Sequence, residues 1–594
     1  MLRSIFLFAS LTAALRSSTP YDSNPYSAYH ARIAKRAANS TNNFYEVDLG
    51  YAKYEGYYDE ELQANQWLGM RYAQPPVGAL RWQPPRAPVP AGNSSQVLSA
   101  DSYGTQCPAA PQAGSSYTAV NNAGKGEDCL YINVITPPNA DNATKLPVMI
   151  WFHGGGYAAG SGGLDFTNLM HTNGDRFMVV TLNYRLGAFG FLSSDEVNVR
   201  GTPNAGLYDQ QLALRWVQRY IHLFGGDPAL VTIFGHSAGA GSVMLHDTAY
   251  GGTLGTSLFK NSITSSTYLP FQYGYKDWQP SQFYYSFAQA VGCNVGSGPI
   301  FDCLVEADEQ TLIEANVNVS QSGNWGSFAF LPVTDGKMVL DRPSVMLAEG
   351  KINGINHLAG HSALEGAAWV EPESIETVED FVDYVDTILP MFSNNDIARL
   401  LSTYGSNNDS TDFDAPVWAT AGDSGPTHLN QSTAATGQQQ RAIAVYGETT
   451  FMCPSYWLAE AYSDNKFGGQ GWKYQWSVPN AYHGTDGAAY LRDPSDPAYY
   501  NFDVVSQPST LYFDEILIPM LQTTAFQMMI GNFITRDDPT VTNAVANGIT
   551  TNNETYNPVT DWPPYNLYDH IMVSLADPEI TEQCHSQRRL ELAS

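Results

Sequence analysis

The stretch Leu230-Val231-Thr232-Ile233-Phe234 runs without a break into Gly235-His236-Ser237-Ala238-Gly239 and on to the small residues Ala240, Gly241 and Ser242. A β-branched, apolar run reads as a buried strand, and the small residues behind it can open a helix. A serine on the sharp turn between the two must adopt strained backbone angles. Flanking glycines keep side chains out of the way where helix and strand pack. The pattern points to an α/β chain and nominates Ser237 as a nucleophile. A near miss, Gly360-His361-Ser362-Ala363-Leu364, lacks both the closing glycine and a preceding β-branched run, and it is read as a loop.

Apolar runs bounded by Gly, Pro and Asn recur at residues 146–152, 177–182, 229–234 and 474–476. Between the second and third, residues 205–223 place Leu207, Leu212, Leu214, Trp216, Val217 and Ile221 at near-helical spacing. Strand, helix, strand is the signature of a parallel sheet. No internal repeat is visible, and the polar residues 402–437 read as a surface excursion rather than a linker. One decorated α/β domain over residues 37–594 is therefore expected. The strand over residues 148–152 ends in His153-Gly154-Gly155-Gly156-Tyr157, whose glycines leave backbone N–H groups uncovered for a developing oxyanion.

The chain carries 29 Lys+Arg against 58 Asp+Glu, a formal charge of −29. Such a surface repels a phosphate backbone, so nucleic acid is excluded as a partner, and an anionic membrane surface is disfavoured for the same reason. Residues 5–15 form an apolar run behind Arg3 and reach Thr12-Ala13-Ala14, the pattern of a signal peptide over residues 1–14. A propeptide over residues 15–36 would then end at Lys35-Arg36, and the protein is expected to be secreted and extracellular. No later run is long and apolar enough for a membrane span, so no stable membrane insertion is expected.

Six cysteines in an exported chain suggest disulfides, falling as Cys107 with Cys129, Cys293 with Cys303, and Cys453 with Cys584, although six cysteines allow many other connectivities. No Cys-x-x-Cys or His-Glu-x-x-His spacing occurs, and no metal is expected. Asn39, Asn93, Asn142, Asn318, Asn408, Asn430 and Asn553 stand in glycosylation sequons.

With these residues in hand the chain resembles the type-B carboxylesterase and lipase family, which includes cholinesterases and the non-catalytic neuroligins. In style it is most similar to secreted esterases and lipases of filamentous fungi. The resemblance rests on Tyr72-Ala73-Gln74-Pro75-Pro76-Val77-Gly78, Glu127-Asp128-Cys129-Leu130-Tyr131-Ile132-Asn133-Val134, Asn183-Tyr184-Arg185-Leu186-Gly187, Asn204-Ala205-Gly206-Leu207-Tyr208-Asp209-Gln210 and Phe224-Gly225-Gly226-Asp227-Pro228. It implies an α/β-hydrolase fold, with a large, mostly parallel central sheet flanked by helices and insertions forming a cap around the gorge. It also implies all three cysteine pairings and an oxyanion hole from the backbone of Gly155, Gly156 and Ala238. The family's acid-Gly step matches Glu365-Gly366, and its histidine context matches Tyr482-His483-Gly484-Thr485-Asp486. Ser237, Glu365 and His483 are thus expected as nucleophile, acid and base. Arg81 with Glu127 and Arg185 with Asp209 resemble the family's structural ion pairs.

Two departures stand near the site. His236 occupies the position before the nucleophile where the family usually has Glu. Ser266 beside Ser265 matches a buried serine near the family's site, but Thr267 replaces the usual glycine. The resemblance implies hydrolysis of a small-molecule or lipid ester without a cofactor. Three readings follow: a secreted esterase, a triacylglycerol lipase with interfacial activation, and a neuroligin-like binding protein. The loop of residues 108–128 carries no amphipathic apolar stripe for a lipid-sensing lid and no Trp for a choline cation. The triad residues are all present, which leaves the esterase reading ahead.

Overall fold

The apolar runs become strands because both of their faces are buried, as in a sheet covered by helices on each side. In chain order the strands of the whole fold, these and others, are β1 (Glu46–Asp48), β2 (Lys53–Glu55), β3 (Tyr57–Asp59), β4 (Ala64–Arg71), β5 (Val97–Ser99), β6 (Tyr131–Thr136), β7 (Leu146–Phe152), β8 (Met178–Leu182), β9 (Gly226–His236), β10 (Asn261–Ser265), β11 (Asn356–Ser362), β12 (Gly471–Trp476) and β13 (Val573–Leu575). The computed structural model describes residues 44–90, 96–110, 112–293, 299–404, 432, 434–463, 468–477, 481–492, 520–546, 558–566 and 571–575. The signal and propeptide readings, Cys584, and Asn39, Asn93, Asn408, Asn430 and Asn553 lie outside the described residues.

Ten strands form one sheet in the order β13-β12-β11-β10-β9-β7-β8-β6-β4-β3, while β1, β2 and β5 form a small separate one. Neighbours from β13 through β8 run parallel, and β6, β4 and β3 add an antiparallel edge. The mostly parallel sheet implied by the resemblance is thus present. Alternate residues feed opposite faces: Val148, Ile150 and Phe152 of β7 join one core cluster, Met149 and Trp151 the other. The helix expected over residues 205–223 is Ala205–Tyr220, with Ile221–Phe224 tightening into a 3-10 turn that stops at Gly225, φ 88°. Gly225 can adopt this left-handed conformation without a Cβ penalty.

One expectation is corrected. Residues 360–362 do not lie in a loop; they complete β11, all of which is buried. Its two histidines hide it from an apolar pattern because they are satisfied sideways. His357 Nδ1 and Nε2 meet Ser262 Oγ at 2.7 Å and Thr264 Oγ1 at 3.0 Å, and His361 Nε2 meets Gln475 Oε1 at 3.0 Å. Gly360 leaves room for the Tyr474 ring, which an added Cβ would meet at 1.9 Å.

A third apolar cluster gathers under the helices Val378–Ile388, Asn394–Thr403 and Gly437–Gly447. The first two begin with reciprocal caps, Thr377 with Asp380 and Ser393 with Asp396, which satisfy the otherwise orphaned amides. Disulfides join Cys107 to Cys129 and Cys293 to Cys303. Cys453 pairs with no other cysteine among the described residues. The expected ion pairs are buried, Arg81 to Glu127 at 2.7 Å and Arg185 to Asp209 at 2.7 Å. Asn142 and Asn318 are exposed. No helix among the described residues is long and apolar enough to cross a membrane.

Candidate active site

Ser237 follows β9 directly and opens the helix Ala238–Asp247, with φ 56° and ψ −124°. The strand-to-helix reversal is close enough that neither flanking glycine tolerates a side chain. A Cβ on Gly235 would lie 2.3 Å from the Gly239 carbonyl carbon, and one on Gly239 would lie 1.9 Å from Phe152 O. These contacts lift the Ser237 hydroxyl off the sheet.

His483 reaches it from the segment after β12, with Nε2 2.9 Å from Ser237 Oγ. The other ring nitrogen, Nδ1, lies 2.6 Å from Glu365 Oε2, and the remaining carboxylate oxygen accepts the Ser362 N–H at 2.7 Å. Glu365 is fully buried and follows β11, where Gly366 is needed because a Cβ would meet Ile443 O at 1.9 Å. The three residues thus leave the ends of β9, β11 and β12. Their hydrogen bonds form one chain from hydroxyl to imidazole to carboxylate.

The glycine segment after β7 packs beside Ser237, where a Cβ on Gly154 would meet the serine Cβ at 3.0 Å. Gly155 and Gly156 have φ 105° and 63°, and the Gly155 carbonyl turns away to accept from Ala158 and Ala159. Among the described residues the N–H groups of Gly155, Gly156 and Ala238 donate to no backbone carbonyl. His153 is stacked on Tyr184 with ring centroids 4.3 Å apart, and burial pushes it down to about 4, which fits a packing residue.

His236 lies against the site. Its ring centroid is 5.0 Å from that of His483, and its Nε2 is shut off from solvent with no hydrogen-bond partner among the described residues. Burial, followed by the neighbouring His483, holds this imidazole well below its ordinary value, so it is uncharged. Ser266 is buried with φ 57° and an unpartnered Oγ among the described residues.

Several further neighbours complete the surroundings, of which only Ser265 and Asp486 stand in segments that the resemblance singled out. Ser265 Oγ donates to Asp486 Oδ2 at 2.5 Å, and Tyr474 Oη donates to the same oxygen at 3.0 Å. Burial nonetheless pushes the Asp486 carboxyl up to about 6. Phe451 and Trp369 wall the histidine, with ring centroids 4.5 Å and 5.3 Å from it. Phe451 sits in a π-helical turn, Glu448–Met452, a local insertion often found at functional sites. Behind the acid, the buried Lys473 amine contacts His361 Nδ1, donates to Tyr474 O at 3.0 Å and lies 4.7 Å from the Tyr456 ring centroid. Each is one polar residue or ring among many, and only the folded chain brings them together.

Among solved structures, that of Aspergillus niger EstA superposes with a TM-score of 0.70 and 27% identity, covering 92% of this chain and 95% of that one. The para-nitrobenzyl esterase of Bacillus subtilis is 34% identical over 351 residues, 57% of this chain and 67% of that protein. The acetylcholinesterase of Electrophorus electricus is 33% identical over 377 residues, 59% of this chain and just over half, 56%, of that protein. The profile of the carboxylesterase family matches residues 46–591. With an α/β-hydrolase sheet and that match over most of its length, the chain belongs to the carboxylesterase family and is a carboxylic ester hydrolase.

Proposed function

We propose that the protein is a secreted serine esterase acting through an acyl-enzyme intermediate. The unbroken chain from Ser237 Oγ through His483 to Glu365, at 2.9 Å and 2.6 Å, carries this reading. His483 Nε2 takes the serine proton as Oγ attacks the ester carbonyl, and Glu365 holds the imidazole tautomer. The N–H groups of Gly155, Gly156 and Ala238 receive the negative charge on the carbonyl oxygen; one such donor contributes about 2.7–4 kcal/mol to transition-state stability. His483 then returns the proton to the leaving alcohol, and a water activated by the same nitrogen releases the acid.

The segment between Cys107 and Cys129 favours an esterase over an interfacially activated lipase. Asn122 exchanges hydrogen bonds with the Ala109 N–H and carbonyl at 2.7 and 2.9 Å, and Ala113 N–H donates to Ser327 O at 3.0 Å. A segment pinned at both points is poorly suited to swing open on a lipid surface.

The test is hydrolysis of p-nitrophenyl esters from acetyl to palmitoyl by the wild type and Ser237→Ala, below and above the solubility limit of the long chains. Loss of activity in the variant, a short-chain preference and no rate jump at the interface are expected. A long-chain preference with a jump overturns the esterase reading in favour of a lipase. Full activity in Ser237→Ala overturns the triad.

A further inference from the structure

Lys473 is 0% exposed, on the face of β12 opposite to the apolar Trp472, Tyr474 and Trp476. The register of β11 on β12 sets Ala359 beside Lys473 and His361 beside Gln475. Amine and imidazole therefore share one face of the sheet, under Ser455 and Tyr456 of the helix Cys453–Ser463.

The hydrogen bonds settle what each atom there can do. Gln475 Oε1 accepts, so His361 Nε2, 3.0 Å away, carries the ring proton and Nδ1 is left as an acceptor. Ser455 Oγ, 3.3 Å from Nδ1, spends its own proton on Met452 O at 2.6 Å. The Lys473 amine thus supplies the N–H that Nδ1 receives. A second N–H goes to Tyr474 O at 3.0 Å, and the Tyr456 ring, 4.7 Å away, offers its π face to a third. Three acceptors around one amine complement an ammonium, which has three N–H groups and no lone pair.

A buried cation needs a counter-charge, and so does a buried carboxylate. Glu365 is 0% exposed, and its oxygens meet His483 Nδ1 and the Ser362 N–H. Ser362 directly follows His361 in β11, so the acid is anchored one peptide from the imidazole that receives the amine. Burial pushes the Lys473 amine well below its ordinary value, and the Glu365 carboxylate draws it back up.

We infer that Lys473 is a positioning residue of the triad: its ammonium is the buried counter-charge behind Glu365, and it loosens the hold of the Glu365–His483 couple on a proton. This rests on the triad reading. The couple must be unprotonated for His483 to take the serine proton, so a cation behind it extends activity to lower pH. Without that charge the couple is more negative and keeps its proton to higher pH, which moves the acid limb of activity upward. The other titratable groups that face the amine are Tyr456 and, on β11, His361 and His357, both kept uncharged by burial. Beside His483, His236 is uncharged, and Asp486, pushed up to about 6 by burial, is common to all the proteins compared.

The test is the pH profile of kcat/KM for p-nitrophenyl acetate, between about pH 4 and 9, for wild type, Lys473→Met and His361→Leu. Methionine keeps the length of the side chain without its charge, and leucine removes the acceptor that holds the ammonium. Each variant is expected to move the acid limb up by about one pH unit. A role in packing alone lowers the plateau and leaves the limb in place. Both variants are scored on protein that melts cooperatively, and either suffices if the other does not fold. An acid limb that stays at the wild-type position, or moves to lower pH, overturns the inference. The triad reading fails separately, if Ser237→Ala hydrolyses the ester as the wild type does.

Discussion

The Tyr404 hydroxyl donates to Glu448 Oε2 at 2.5 Å, on the first residue of the π-helical turn that carries Phe451 to His483. Burial pushes the Glu448 carboxyl up to about 7, and the tyrosine hydrogen bond only partly offsets this. A carboxyl that keeps its proton to higher pH in the fold than in the unfolded chain stabilises the fold fully below its ordinary value of 4.5. That stability is lost as pH rises through about 7. Glu448→Gln cannot titrate. Relative to wild type it should gain about 2–3 kcal/mol between pH 4.5 and 7, read from urea unfolding at each pH. A constant difference across that window refutes the assignment.

The Arg185 guanidinium holds both oxygens of Asp209, its Nε 2.7 Å from Oδ2 and a terminal nitrogen 2.7 Å from Oδ1, with the side chains 3% and 0% exposed. Removing one partner strands the other charge in the core. Asp209→Ala should lower unfolding stability by about 3–5 kcal/mol, measured by chemical denaturation. A loss below about 1 kcal/mol would show that water reaches the guanidinium.

Ser237 sits at φ 56° and ψ −124°, which disfavours any side chain. Ser237→Gly should therefore abolish esterolysis while raising stability by about 1 kcal/mol, the relief of strain exceeding the extra freedom gained by the unfolded chain. Calorimetry on the inactive variant decides it; a lower melting temperature would mean that the turn is not strained.

Gly156 has φ 63°, and the Phe328 ring occupies the space of its missing Cβ, 2.1 Å away. Gly156→Ala should turn its N–H away from the carbonyl oxygen. Turnover of p-nitrophenyl acetate is expected to fall by about 10²–10³-fold, with KM changed far less. Equal losses in affinity and turnover would place the residue in ground-state binding instead.

The serine turn was legible because a β-branched strand, two glycines and a run of small residues all point to the same backbone geometry. The strands at β7, β8 and β9 were legible for the same reason, since residues buried on both faces leave uninterrupted apolar runs. Glu365 and His483 emerged only through the resemblance, because a lone carboxylate among 58 acidic residues carries no local pattern. The segment Asn356–Ser362 reads in part as a loop because its histidines find partners on neighbouring strands, and one sequence does not display partners across a sheet. Phe451 and Lys473 are invisible on the same grounds, and Ser265 and Asp486 stand out only through the resemblance: their significance lies in what the fold sets against them.

Ser237, Glu365 and His483 leave three parallel strands, with β10 lying between the first two. A slip of one residue between strands displaces a chain by about 3.3 Å, as much as the whole reach of a hydrogen bond, and turns its side chains to the opposite face. Turnover is therefore a readout of sheet registration. A preparation's specific activity should count the molecules whose parallel strands have locked in step, including those that a spectroscopic measure of strand content would score as folded whether they had or not.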